Sequence, residues 1–177
     1  MQQLIECVPN FSEGQDPAII RQITEVIEAT DGIRLLNVDP GKATNRTVVT
    51  FVGAPEQVVE AAFQAIRKAA ELIDMSKHKG EHPRMGATDV CPLIPISGIS
   101  MEETAAWAQK LAQRVGDDLK IPVYLYEAAQ PDPARKNLSV IRAGEYEGFF
   151  EKIRKPEWKP DFGPAVFPAR SGATVIG

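Results

Sequence analysis

Between residues 16 and 74 two proline-opened helical patterns bracket two β-branched runs, and that alternation sharply limits what the chain can fold into. The first helix starts at Asp16-Pro17, with aspartate as the cap and proline at the first helical position, where its missing N–H is no loss. Ile19, Ile20, Ile23, Val26 and Ile27 then recur at helical spacing until Asp31-Gly32 ends the pattern. The second helix opens at Pro55 and carries an apolar stripe of Val59, Ala62, Phe63, Ile66, Ala70 and Ile73 to about residue 74. Residues 33–38 and 46–52 read as strands joined by a turn at Asp39-Pro40-Gly41. A strand at 4–8 precedes this block, and an irregular one at 89–96, broken by Pro92 and Pro95, follows it.

The resulting order, β-α-β-β-α-β, is the split βαβ or ferredoxin-like pattern. It predicts an α/β (α+β) fold in which helices cover one face of a mixed sheet. Extra elements extend it: a helix opened by the capping box Ser100-Met101-Glu102-Glu103, a strand at 122–126, a helical region over 135–154 broken at Gly144, and a last strand at 173–176. No internal repeat or linker precedes residue 155, so one domain over 1–177 is expected.

Charge and cysteine usage narrow the function classes. A net charge of −4 lacks the basic footprint of a general nucleic-acid binder, so an anionic ligand has to be held by local clusters. Cys7 and Cys91 lie far apart in apolar runs and outside any CxxC pair, which favours two buried thiols in a reducing compartment. The first residues have neither the basic nor the apolar region of a signal peptide, and no apolar run is long enough to span a bilayer. A cytoplasmic chain without nucleic-acid or membrane partners is expected.

The chemistry-bearing segment is Lys77-His78-Lys79-Gly80-Glu81-His82-Pro83-Arg84-Met85-Gly86-Ala87, which holds both histidines of the chain. Gly80 and Pro83 break a helix and let the backbone turn sharply, leaving a loop that presents imidazoles, whose ordinary pKa lies near neutrality. The four-residue spacing of His78 and His82 suits a metal only on a helix, which Gly80 and Pro83 remove, so no metal site is expected. A solvated charged loop with hydrogen-bonded structural histidines remains the plainer explanation. Three further segments stand out without being specific: Asn10-Phe11-Ser12-Glu13-Gly14 after the first strand, the polar turn Thr44-Asn45-Arg46-Thr47, and a glycine-rich tail without phosphate-loop spacing.

Read together, Glu6 to Gly14, Thr44-Asn45-Arg46-Thr47-Val48, Gly80 to Ala87 and Asp89-Val90-Cys91-Pro92 closely resemble the glutamate formimidoyltransferase (formiminotransferase) family. So do Val123-Tyr124-Leu125-Tyr126, Arg142-Ala143-Gly144-Glu145-Tyr146-Glu147 and Pro160-Asp161-Phe162-Gly163-Pro164. The resemblance implies transfer of the formimino group of N-formiminoglutamate, a histidine breakdown product, to N5 of tetrahydrofolate, a co-substrate bound between two similar subdomains. It puts the catalytic histidine at His82. It puts the folate-contacting stretch at Gly163-Pro164-Ala165-Val166-Phe167-Pro168-Ala169-Arg170-Ser171-Gly172. It also implies that only the first subdomain lies within these 177 residues, so a second subdomain or another copy of the chain is an expected partner. On chemical grounds Arg84 or Arg46 is expected to hold a substrate carboxylate, and Asp39 to orient an imidazole or meet the cationic formimino group. His78 is expected to be exposed beside two lysines and outside the chemistry. The alternative is a non-catalytic folate-binding or interaction module that keeps only the first subdomain.

Overall fold

The computed structural model describes residues 2–177. Strands β1 (Leu4–Cys7) and β2 (Asn10–Phe11) form one line interrupted at Pro9, and helix α1 (Pro17–Glu28) follows. The hairpin β3 (Arg34–Gly41) and β4 (Arg46–Gly53) leads into helix α2 (Pro55–Leu72). Strands β5 (Thr88–Cys91) and β6 (Leu93–Ser97) form a second line interrupted at Pro92. Helix α3 (Met101–Arg114) runs on as a π-helical turn, then come β7 (Val123–Leu125), the short helices α4 (Leu138–Arg142) and α5 (Glu145–Lys152), and β8 (Thr174–Ile176).

The fold is mixed α/β around one sheet. β4 lies between β3 on one side and the β1/β2 line on the other, antiparallel to both. The β6/β5 line pairs antiparallel with β1/β2. β8 then adds parallel to β5, and β7 parallel to β8, which makes the sheet mixed. The last strand of the chain is therefore an interior one.

Burial separates the two ends of this sheet. Along β4 residues alternate, with Thr47, Val49 and Phe51 buried and Arg46, Val48, Thr50 and Val52 half-buried. A period of two marks one face packed on helices and one face open. The packed face meets α1, α2 and α3, whose inward residues include Ile23, Ile27, Ala62, Ile66, Ala108 and Leu111. Each such isoleucine or leucine contributes roughly 1.5–3 kcal/mol by leaving water. In β5, β7 and β8, by contrast, every residue is buried. Tyr124 of β7 stacks edge-on against Phe149 of α5 and Trp158, so this end of the sheet is covered on both sides. The expected single helical face thus holds only for the β3–β4–β1–β6 half.

Two local expectations are corrected. Asp39-Pro40-Gly41 is the end of β3, and the turn falls at residues 42–45, with Asn45 at positive φ. Pro40 is tolerated because β3 pairs only with β4 and its other edge needs no N–H. The proline-broken strand at 89–96 is interior along β5 and lies at the sheet's edge only along β6.

Candidate active site

Residues 77–87 cross from the end of α2 to the start of β5, at the boundary between the open and the two-sided halves of the sheet. The loop is held by its neighbours at many points. Asn45 Nδ2 donates to Lys79 O at 3.0 Å, and Glu81 N donates to Ala43 O at 3.3 Å. Ser12 Oγ donates to Gly86 O at 2.7 Å, and Ser12 N to Ala87 O at 2.9 Å. A Cβ on Gly80 would meet Thr44 O at 2.3 Å, and one on Gly86 would meet Ala173 O at 2.0 Å. Only glycine permits these approaches, so the polar turn 44–47 and the histidine loop are one packed unit.

His82 is half-buried, and its Nδ1 lies 2.7 Å from Pro83 O. A carbonyl only accepts, so Nδ1 is the nitrogen that donates, and in the neutral ring Nε2 is the one with the lone pair. The ring borders a cavity of about 260 Å³ shared with Asn10, Asp39, Thr44, Arg46 and Val48. The sequence-picked residues His82, Arg46 and Asp39 therefore meet at one opening on the open face of the sheet. Arg46 is fixed there from three directions. Its Nε donates to Asn10 Oδ1 at 3.0 Å, and its Nη1 to Asp89 Oδ2 at 2.8 Å and to Pro83 O at 3.4 Å. Asp89 also accepts from Met85 N at 2.9 Å and from Arg142 Nη1 at 2.6 Å, with no side-chain surface left to solvent.

Arg84 lies elsewhere. It is buried, its two Nη atoms bind Glu147 in a fork at 2.9 and 2.8 Å, and Nη1 also meets Glu145 at 3.2 Å. The Glu147 carboxylate, followed by burial that acts the other way, raises the Arg84 pKa, and the same guanidinium lowers that of Glu147. Its charge is already answered, so the expected hold on a substrate carboxylate gives way to a clamp between the loop and α5.

His78 is also different from expectation. It is half-buried, its Nε2 donates to Asn45 O at 2.9 Å, and its Nδ1 accepts from Arg84 Nε at 3.0 Å. Burial is the main cause that lowers its pKa, with the Arg84 charge adding to it. The unfolded chain therefore binds this proton more readily than the folded one. Stability from His78 is complete above the unfolded value of about 6.5 and is lost as pH falls through it towards the lower folded value. The melting temperature is expected to drop as pH is lowered from about 7.5 to about 5, and His78→Gln, which keeps one donor and one acceptor, should flatten that drop. A slope unaltered in the variant would assign it to the carboxylates instead.

Of the stretch 163–172, none lines the His82 cavity. Phe167 is buried among Tyr146, Phe149 and Phe150, whereas Val166 is exposed. The C-terminal end joins the loop: Ala87 N donates to Ser171 O at 2.8 Å, and Gly172, at positive φ, packs on Met85 O. Among the described residues no three His, Cys, Asp or Glu side chains group as metal ligands, and no helix is long and apolar enough to cross a membrane. Sequence reasoning singled out the segments that contain Asn10, Asp89 and Arg142 but gave none of the three a role of its own. For Asp89 a signal existed, a lone charge in the apolar run into β5.

Comparison with known proteins agrees with these segments. Residues 4–177 match the family model described as the formiminotransferase domain, N-terminal subdomain. The chain is 58% identical over its whole length to mouse (Mus musculus) formimidoyltransferase-cyclodeaminase, of which it covers 33%. It is 46% identical over 98% of its length to a glutamate formimidoyltransferase of Thermoplasma acidophilum and 42% identical over its whole length to that of Streptococcus pyogenes, covering 58% and 59% of them. The chain thus spans one third to three fifths of the relatives it matches. It belongs to the N-terminal subdomain family of the formiminotransferase domain.

Proposed function

We propose that this chain is the catalytic-histidine half of a cytoplasmic glutamate formimidoyltransferase, moving the formimino group of N-formiminoglutamate to N5 of tetrahydrofolate. The observation that carries the reading is the setting of His82: its Nδ1 lies 2.7 Å from Pro83 O, an arrangement that leaves Nε2 of the neutral ring as the base, and the residue lines a cavity that also presents Arg46 and Asp39. When N5 bonds to the formimino carbon, His82 Nε2 takes the N5 proton. When the bond from that carbon to the glutamate nitrogen breaks, His82 returns the proton to the departing nitrogen. One imidazole serving both steps contributes about 10²- to 10⁴-fold. Arg46 meets a substrate carboxylate, and Asp39, exposed at the same opening, faces the cationic formimino group. Arg84 leaves this set, because its donors are engaged.

We read the four antiparallel lines β3, β4, β1/β2 and β6/β5 as the split βαβ unit, and residues 1–177 as one subdomain. Its open face, where Leu36, Ile94 and Ile96 are exposed, awaits the second subdomain of the transferase, or another copy of the chain. Folate contacts are assigned to the exposed residues of 163–172, supported by the bonds that tie the end of this stretch to the histidine loop, Ala87 N to Ser171 O and Ala173 N to Met85 O. The test is a formiminoglutamate-dependent tetrahydrofolate assay of this chain, alone and with the second subdomain supplied. Turnover in the complemented sample is expected. Folate binding without turnover would make the chain a binding module.

A further inference from the structure

Arg142 plays no part in the proton-transfer scheme, yet it is built into the same charge network. Its Nη1 and that of Arg46 donate to one oxygen of Asp89, at 2.6 and 2.8 Å. Asp89 is wholly buried, while the Arg46 and Arg142 side chains keep 10% and 14% of their surface. Two guanidiniums share one carboxylate, so one of them has no carboxylate of its own, in a place where water reaches it poorly. Such a charge attracts an anion strongly, because little solvent screens the pair. Arg142 also has donors to offer: among the described residues no acceptor meets its Nε or Nη2. Arg84 is the contrast, with two carboxylates on its fork.

Arg142 opens on a cavity of about 240 Å³, separate from that of His82 and walled by Pro83, Ser139, Arg142, Ala143, Gly144 and Glu145. Pro83 connects the two sites, since its carbonyl receives His82 Nδ1 and Arg46 Nη1 while the residue walls the second cavity. Ser139 is exposed there, and its hydroxyl has no partner among the described residues.

We propose that this second cavity is a carboxylate-binding subsite in which Arg142 grips one carboxylate of the formimino donor, with Ser139 Oγ as a further donor. The inference rests on the transferase reading and names the part of the site that holds the amino-acid half. The fork of a guanidinium matches a planar carboxylate. Two arginines then serve the two carboxylates of formiminoglutamate, and Asp89 orients both. Glu145 on the wall opposes a more highly charged anion such as phosphate.

The test titrates L-glutamate, and separately inorganic phosphate, into the ¹⁵N-labelled chain while the arginine Nε–H signals are followed by NMR. Glutamate should shift the Arg142 signal. Arg142→Gln should weaken glutamate binding about tenfold or more, Arg142→Lys less, and Ser139→Ala, an exposed change that spares the fold, a few-fold. In the complemented enzyme Arg142→Gln should lower kcat/KM mainly through a higher KM for formiminoglutamate. An Arg142 signal indifferent to glutamate, unchanged affinity in Arg142→Gln, or phosphate bound more tightly than glutamate would overturn the subsite. Glutamate bound through Arg142 without any formimino transfer would overturn the transferase reading and leave the subsite standing.

Discussion

In an enzyme assembled from this chain and the proposed second subdomain, His82→Ala is expected to lower kcat by about 10²-fold or more while folate binding is largely kept. The expectation follows from the geometry around the ring. Pro83 O fixes which nitrogen carries the proton, and that carbonyl is itself held by Arg46 Nη1. Proline also restricts the residue before it to extended backbone, so the imidazole has little freedom to drift between two proton transfers. Truncation to alanine removes the acid and the base together and leaves the cavity walls in place. Steady-state kinetics with both substrates, combined with a direct folate-binding measurement, checks it. His78→Gln should do far less, because that ring ends on Asn45 O and Arg84 rather than on the cavity. Near-normal kcat in His82→Ala, or a loss confined to folate affinity, would make His82 a binding group and sink the mechanism.

The parts of this molecule that were legible in the sequence are those where local chemistry decides. Proline at the first position of α1 and α2, the Asp16 cap and the Ser100–Glu103 capping box are recovered almost to the residue, because each satisfies backbone groups within its own turn. The order of the first four strand lines follows from the same kind of pattern. What was not legible depends on long-range neighbours. A three-residue strand at the end of the chain gives no hint that β8 will insert between β5 and β7. The surroundings of the two histidines and of the two candidate arginines were equally hidden. Arg84 and Arg46 look alike in sequence, and only the arrival of Glu147 and Glu145 on α5 separates a neutralised clamp from a guanidinium that shares its carboxylate. His78 reads as exposed because its lysine neighbours are, yet the turn at 42–45 folds back over it.

Asp89→Asn is expected to be the most destabilising polar substitution in the chain. The carboxylate is fully buried and holds three elements at once: Arg46 of β4, Arg142 of α4 and the Met85 N–H of the histidine loop. Asparagine has nearly the same shape and can still accept the Met85 N–H, so packing changes little. The charge balance changes a great deal. Two poorly solvated guanidiniums are left facing each other with no counter-charge, the situation in which breaking a buried pair costs about 3–5 kcal/mol. For a domain of this size that corresponds to a fall in melting temperature of roughly 6–20 °C. Arg142→Met offers the opposite case. It removes the surplus cation and leaves Arg46 and Asp89 as a one-to-one pair, so its cost should be much smaller than that of Asp89→Asn. Removing both Asp89 and Arg142 should recover part of the loss, since only one unpaired guanidinium then remains. Denaturant melts of the three variants give the coupling as a double-mutant cycle. If Arg142→Met destabilised as much as Asp89→Asn, the bridge would be held by packing and not by charge. The surplus positive charge that Arg142 brings to its cavity would then have to be sought elsewhere.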